Sequence, residues 1–486
     1  MKQFILFLLM LLVAKVAIGQ PRSQTIEKTI HEVETSLMPP LQLAHKPFVQ
    51  FSLTDRMKHY HVPAVSIAFI NNGVFEWARA YGYLSNDSLQ PANTHTLFQA
   101  ASISKPITAM AALRLVELGK LDLDTDINAY LKTWQLPQSR FTDQKPVTLR
   151  ALLSHTAGLT VHGFRGYATG DSIPSVTQIL NGEKPANSPP VVSDTVPGSG
   201  WRYSGGGYVI LQQLLNDVTG KRFPDLMQQL VLKPIGMDCS TYQQPLPKAL
   251  WSNASIGHLG NGQKLPGNWH NYPEMAPAGL WTTATDLARY LVDVQQSFQG
   301  KTNHVLSRSM VNKMLTKQPG EHGLGPEIHG SDSTLAFSHG GSNAGYKCYF
   351  YSYAKTGQGV VVMTNADSGM GLIFELMRSI AHVYQWPDFK PIIKKIIQVS
   401  QQKLASMAGE YKLENRTDRS LQITVQENSL FVQQLWNGFS YTLHPEGSFA
   451  FFVKEYGDRF TFEPASDTTI AGVVHENTKW VKVKTP

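Results

Sequence analysis

With 486 residues, the chain is long enough for several domains, or for one large domain with an appendage. Its hydrophobic fraction of 42% excludes a disordered chain, and only 16% of residues are charged. Lys plus Arg number 43 against 36 Asp plus Glu, a formal charge of +7. No basic run exceeds two residues (Lys221-Arg222, Lys394-Lys395), so the clustered cations of a nucleic-acid groove are missing. Two cysteines exclude a disulfide scaffold and a cysteine zinc site.

In chain order, Lys2 precedes an apolar run from Phe4 to Val13, and Ala17-Ile18-Gly19 supplies small residues before Gln20. This pattern predicts a secretory leader over 1–19, too short to span a bilayer, and hence a secreted or periplasmic protein. No cysteine follows the cleavage site to take a lipid anchor. Residues 20–60 read as polar and helical. Ala64 to Ile70 alternates, with Val65, Ile67 and Phe69 on one face; Asn72-Gly73 is a hairpin turn, and Val74 to Tyr81 returns. Ser104 to Leu118 reads as a helix closed by Gly119, and Tyr208 to Val218 as another stopped by Gly220. Between them, 16 of the forty residues 161–200 are Gly, Pro or Ser, which suits a long binding loop or lid. Thr283 is placed to cap a helix. Tyr346 to Tyr353 and Gly359 to Thr364 form a strand pair turned at Lys355-Thr356-Gly357. Strands, then helices, then strands argue for α+β. The Pro-flanked segment 386–391 reads as a boundary. Beyond it come Leu421, Ile423 and Val425 in alternation, then short runs around Leu430, Tyr441, Phe451, Phe460, Val473 and Val481, the spacing of a small β-barrel or sandwich.

The chemistry centres on Ser102-Ile103-Ser104-Lys105 at the start of a helix. Ser102 and Lys105, three apart, share a helix face. A serine hydroxyl needs a base, and a lysine amine becomes one if burial lowers its pKa. Ser104 is the rival nucleophile. By itself Ser-x-x-Lys is a common chance pattern, equally a cap followed by a surface lysine.

This stretch, together with several segments in order, resembles the serine β-lactamase and penicillin-binding protein superfamily, in particular its class C β-lactamase and esterase-like branch. The segments are 147–159 (VTLRALLSHTAGL), Tyr203-Ser204-Gly205 where the family has Tyr-x-Asn, 278–287 (AGLWTTATDL), and His339-Gly340-Gly341 where it has Lys-Thr-Gly or His-x-Gly. The resemblance covers about 45–385. It implies a β-lactamase/transpeptidase-like fold, an antiparallel sheet flanked by helices. The domains expected are the leader 1–19, a hydrolase domain over 20–390, and a small all-β domain over 400–486. It implies Ser102 as acylated nucleophile and Lys105 with Tyr203 as the proton-transfer pair, Lys105 lowering the pKa of Tyr203. The oxyanion is expected between the backbone N–H groups of Ser102 and Ser342, with Gly340 and Gly341 beside them.

Two departures stand out. Gly205 replaces the asparagine that would bond a substrate acylamido group. His339 replaces a lysine, and a histidine titrating near 6.5 would hold a substrate carboxylate only at low pH. The expected activity is therefore hydrolysis of an ester or a cell-wall-type peptide amide. A class C-like β-lactamase and a non-catalytic penicillin-binding scaffold are the alternatives. No cofactor is implied, and no His-Glu-x-x-His or other metal spacing occurs among the 16 histidines. The implied partner is a small-molecule or cell-wall peptide substrate; none is implied for the C-terminal domain. His155 reads as a structural hydrogen-bonder, Lys355-Thr356-Gly357 as turn chemistry, and Cys239 and Cys348 as unpaired thiols.

Overall fold

The computed structural model describes residues 24–455, 457–466 and 469–483; the predicted leader lies outside them. The chain divides into two compact units. Arg56–Ile373 form one, and the segments on either side of it in sequence form the other.

The central unit is built on a six-stranded antiparallel sheet. Its strands are β1 (Ala64–Asn71), β2 (Val74–Gly82), β3 (Glu327–His329), β4 (Ala336–Asn343), β5 (Tyr346–Tyr353) and β6 (Gly359–Thr364), in the spatial order β2-β1-β6-β5-β4-β3. The β1–β2 hairpin turns at Asn72 and Gly73, both left-handed (φ 53° and 72°), as a two-residue turn of this hand requires. One buried face was expected of β1, but Ser66, Ala68 and Ile70 are buried as fully as Val65, Ile67 and Phe69. The strand is interior to the sheet, and β6, its neighbour, is buried at every position. The helix Ala284–Phe298 packs on β1, β2 and β6, burying Leu287, Leu291 and Val294 at helical spacing. Its cap is the predicted one: Asp286 N–H donates to Thr283 Oγ1 at 3.0 Å.

The helices Ser104–Glu117 and Gly205–Thr219 both pack against the short helix Met275–Ala278. Ser104–Glu117 is buried on nearly every side, which its mixed composition does not announce. Gly205–Thr219 starts three residues before the predicted Tyr208 and ends at left-handed Gly220. Within 161–200 the one helix is Val176–Asn181; the remainder is irregular, as its composition suggests.

In the second unit, residues 24–35 are helical, but Leu41–Leu43 is a strand pairing in parallel with Ile392–Lys394, so 20–60 is not wholly helical. Beyond 400, the helix Gln401–Met407 precedes a closed barrel of eight antiparallel strands from Gly409–Leu413 to Thr478–Lys482. Closure pairs the first strand with the last, Tyr411 opposite Lys482, so no strand edge is left open. Inside, Leu421, Ile423, Leu430, Val432, Phe451 and Val473 form a core of their own. The alternation predicted these strands; closure decides between barrel and sandwich.

Candidate active site

Ser102 sits in a 3-10 turn, Ala101–Ile103, just ahead of the helix that begins at Ser104. The turn is sharp: Ala101 has φ 48°, a conformation that costs a non-glycine residue on the order of 1 kcal/mol. Two groups brace it from below. Cys348 Sγ lies 3.0 Å from Ala100 O, and Gly341 of β4 lies so close that a Cβ there would fall 2.3 Å from both atoms. Glycine at 341 is therefore what lets β4 run against the nucleophile turn. Ser104 is eliminated as a rival, because it is fully buried and its Oγ accepts from Leu280 N–H at 3.1 Å.

Lys105 is 2% exposed, in the first turn of the helix. Its Nζ lies 3.0 Å from Ser102 Oγ and 3.0 Å from the carbonyl oxygen of Pro277, and it faces the rings of Tyr203 and Tyr208 at 4.8 and 5.8 Å. Burial lowers its pKa from 10.5 to about 7, because a desolvated ammonium has no carboxylate beside it to restore the charge. The Ser102 and Tyr203 hydroxyls are hydrogen-bonded, yet burial pushes Tyr203 well above its ordinary 10, against the smaller opposing effect of Ser102. This corrects the expectation that Lys105 would lower Tyr203. Both groups share one dry environment, which favours the neutral form of each.

Tyr203 is held by His155. The rings stack at 4.3 Å and 30°, Ser204 N–H donates to His155 Nδ1 at 3.1 Å, and Arg202 N–H donates to His155 O at 2.9 Å. Ser204 then caps the following helix, accepting from Gly207 N–H at 3.0 Å. His155 is thus a structural hydrogen-bonder, as the sequence suggested. At Gly205 a Cβ would meet His162 O and Phe164 Cε2, both at 3.0 Å. The room an asparagine would need there is taken by the Phe164 ring.

The facing wall comes from β4 and the loop before β3. His339 is 2% exposed, with Nδ1 2.7 Å from the Gly340 carbonyl oxygen. Burial first, then Lys105 and His322, hold its pKa well below 6.5. A histidine titrating near 6.5 was expected; this imidazole is neutral at working pH. His322, 2% exposed, is lowered to about 4 by burial, Lys105 and His329, and its ring stacks on Trp201 at 5.4 Å. His339 Nε2 and both ring nitrogens of His322 have no hydrogen-bond partner among the described residues.

Ser102, Lys105, Tyr203, Gly205, His339, Gly340, Gly341 and Ser342 all line one cavity of about 470 Å³. Every predicted site residue is therefore brought together. The cavity also takes Phe164, Trp201, Pro277, His322 and Glu327, which sequence reasoning did not find. These come from irregular loops, a backbone carbonyl and a sheet edge, where no short spacing marks them. Lys355-Thr356-Gly357 lies in the predicted turn, with Gly73 N–H donating to Gly357 O at 2.8 Å. Both cysteines are free thiols. Among the described residues no cluster suited to a metal ion occurs, and no helix is long and apolar enough to cross a membrane.

A profile of the Beta-lactamase family matches residues 52–384. The chain belongs to that family. Protein flp of Staphylococcus aureus strain MW2 is 24% identical over 321 residues, 63% of this chain and 60% of that protein, so the chain spans about three-fifths of that relative's length. Penicillin-binding protein 4* of Bacillus subtilis strain 168 is 22% identical over 432 residues, 82% of this chain and 89% of the relative. Among solved structures, the octameric penicillin-binding protein homologue from Pyrococcus abyssi superposes with a TM-score of 0.60 at 21% identity, covering 88% of this chain and 98% of its own. That likeness confirms the β-lactamase/transpeptidase-like fold.

Proposed function

We propose that this member of the Beta-lactamase family is a serine hydrolase that cleaves esters or amides through an acyl-enzyme on Ser102. The observation that carries this is the 3.0 Å approach of Lys105 Nζ to Ser102 Oγ, with the amine's pKa brought to about 7 by burial. A neutral lysine donates to Pro277 O and keeps a lone pair for the serine proton, so nucleophile and base are within transfer distance. Ser102 Oγ adds to the substrate carbonyl as its proton moves to Lys105. The backbone N–H groups of Ser102 and Ser342 stabilise the developing oxyanion. The bond from the carbonyl carbon to the leaving group then breaks as the proton held by Lys105 passes to the leaving group, while Tyr203 keeps its own proton and its hydrogen bond beside Ser102. Water then releases the acyl group by the reverse sequence.

A neutral His339 leaves little to attract a substrate carboxylate. This favours esters and amides without an essential carboxylate over β-lactams. The test is a panel of p-nitrophenyl esters, nitrocefin and D-amino-acid peptides with purified protein. Turnover of the esters or peptides, lost in Ser102→Ala, supports the reading. An inert serine towards the whole panel and towards a fluorophosphonate probe contradicts it.

A further inference from the structure

The charges that line the Ser102 cavity run opposite to those expected of a carboxylate-binding site. Among the described lining residues, Lys105 is the one lysine or arginine, and its amine is engaged with Ser102 and Pro277. Glu327 is the one carboxylate. It stands on the edge strand β3, opposite Ser338 in register and so one residue from His339. Ser338 Oγ donates to Glu327 Oε2 at 3.2 Å, and His329 Nε2 lies 3.8 Å from the same oxygen. About a third of the side chain is exposed, so the carboxylate is fixed in place but still open to a ligand. Burial raises the pKa of Glu327 above its ordinary value, the Ser338 bond opposes the rise, and Glu321 on the preceding loop, itself paired with Lys317 at 2.6 Å, adds to it.

An aromatic surface borders this carboxylate. His322 forms a β-bridge with Glu327, and its ring stacks on Trp201, which is 42% exposed and lines the cavity. The loop is shaped to hold that indole: at Gly320 (φ +87°) a Cβ would fall 2.4 Å from Trp201 Cγ. A carboxylate and a part-exposed indole that line one cavity are the combination that recognises an organic ammonium, by ion pairing and by cation–π attraction.

We propose that Glu327 and Trp201 form an ammonium subsite in the Ser102 cavity, so that the preferred substrates are esters or amides carrying a free amino group. The inference rests on the hydrolase reading for its chemistry, but the subsite can be tested without it. The kinetic test compares D- and L-alanine p-nitroanilide with their N-acetyl counterparts at pH 8, for wild type, Glu327→Gln and Glu327→Asp. At least about a tenfold preference in kcat/KM for the free amine is expected in wild type, the scale of one charge-assisted hydrogen bond. Glu327→Gln should reduce it to about twofold or less, and Glu327→Asp should restore part of it. A wild-type preference near one, or one unchanged in Glu327→Gln, overturns the subsite. In parallel, calorimetry with 2-phenylethylamine and 2-phenylethanol reads the subsite directly. Tighter binding of the amine to wild type, lost in Glu327→Gln, upholds it even if Ser102 proves unreactive, an outcome that would sink only the hydrolase reading. Equal binding of amine and alcohol overturns it whatever the kinetics show. If Glu327→Gln does not fold, the wild-type preference and Glu327→Asp decide.

Discussion

The floor of the Ser102 cavity and its facing wall undergo the same physical treatment with opposite results. On the floor, Lys105 is taken out of water and its pKa falls from 10.5 to about 7, into the range where it can both accept and return a proton. On the wall, His322 is taken out of water and falls from 6.5 to about 4, and His339 is also driven well below 6.5. Desolvation penalises each cation alike; the starting value decides what is left. A buried lysine becomes a usable base, whereas a buried histidine becomes an uncharged surface. His339 in place of the lysine of Lys-Thr-Gly therefore removes the positive charge at every working pH, rather than making it pH-dependent.

The largest effect expected from breaking this arrangement is at the nucleophile. Ser102→Ala should lower turnover by about 10³-fold or more and abolish fluorophosphonate labelling, with the melting temperature little changed. Lys105→Met should also remove activity, but it should stabilise the fold. At about 1.4 kcal/mol per pKa unit, a shift from 10.5 to about 7 is a handicap on the order of 4 kcal/mol at neutral pH, offset in part by bonds to Ser102 and Pro277. A net gain of about 1–3 kcal/mol in chemical denaturation would fit this balance; a destabilised variant would show that the lysine is held comfortably. On the wall, His339→Lys should raise the ratio of anionic to neutral ester kcat/KM about tenfold at pH 6, where a lysine whose pKa is lowered as far as that of Lys105 still carries its charge near the substrate. An unchanged ratio would mean that the wall does not sense substrate charge.

The smallest effect concerns acid stability. Because His322 has a folded pKa of about 4 against 6.5 unfolded, the unfolded chain binds the extra proton between those values. Stability should therefore fall as pH drops from 6.5 towards 4. His322→Gln should flatten that part of the melting-temperature profile by a few degrees, and parallel profiles would contradict the assignment.

Much of the floor was legible in the sequence, because its parts are joined by short spacings. Ser102 and Lys105 are one helical turn apart, and Tyr203 lies beside its own cap residue Ser204. Four strands of the sheet, β1, β2, β5 and β6, and seven of the eight barrel strands showed in their apolar runs and in turns such as Asn72-Gly73; β3, β4 and the first barrel strand did not. The wall was not legible in the same way. His322 and Glu327 join it through short pairings, the bridge between them and that of β3 with β4, in a Gly-Pro-broken segment with no alternation to mark a strand. Pro277 contributes a backbone oxygen, which any residue could supply. Protonation was misread for a related reason: the depressed His339 and raised Tyr203 follow from depth of burial, which composition and motif do not give. Closure of the barrel, likewise, depends on the first strand meeting the last.

The central claim, that Ser102 is activated by a neutral Lys105, is tested most directly by the pH dependence of fluorophosphonate labelling, with the adduct located by peptide mass spectrometry. The account predicts a single adduct on Ser102. Its rate of formation should rise about tenfold per unit below pH 7, reach half its maximum near pH 7, where Lys105 loses its proton, and stay level to pH 10. An adduct on Ser104 or Ser342, or a rate that passes through pH 7 unchanged and climbs only above 10 as the tyrosine ionises, would contradict it.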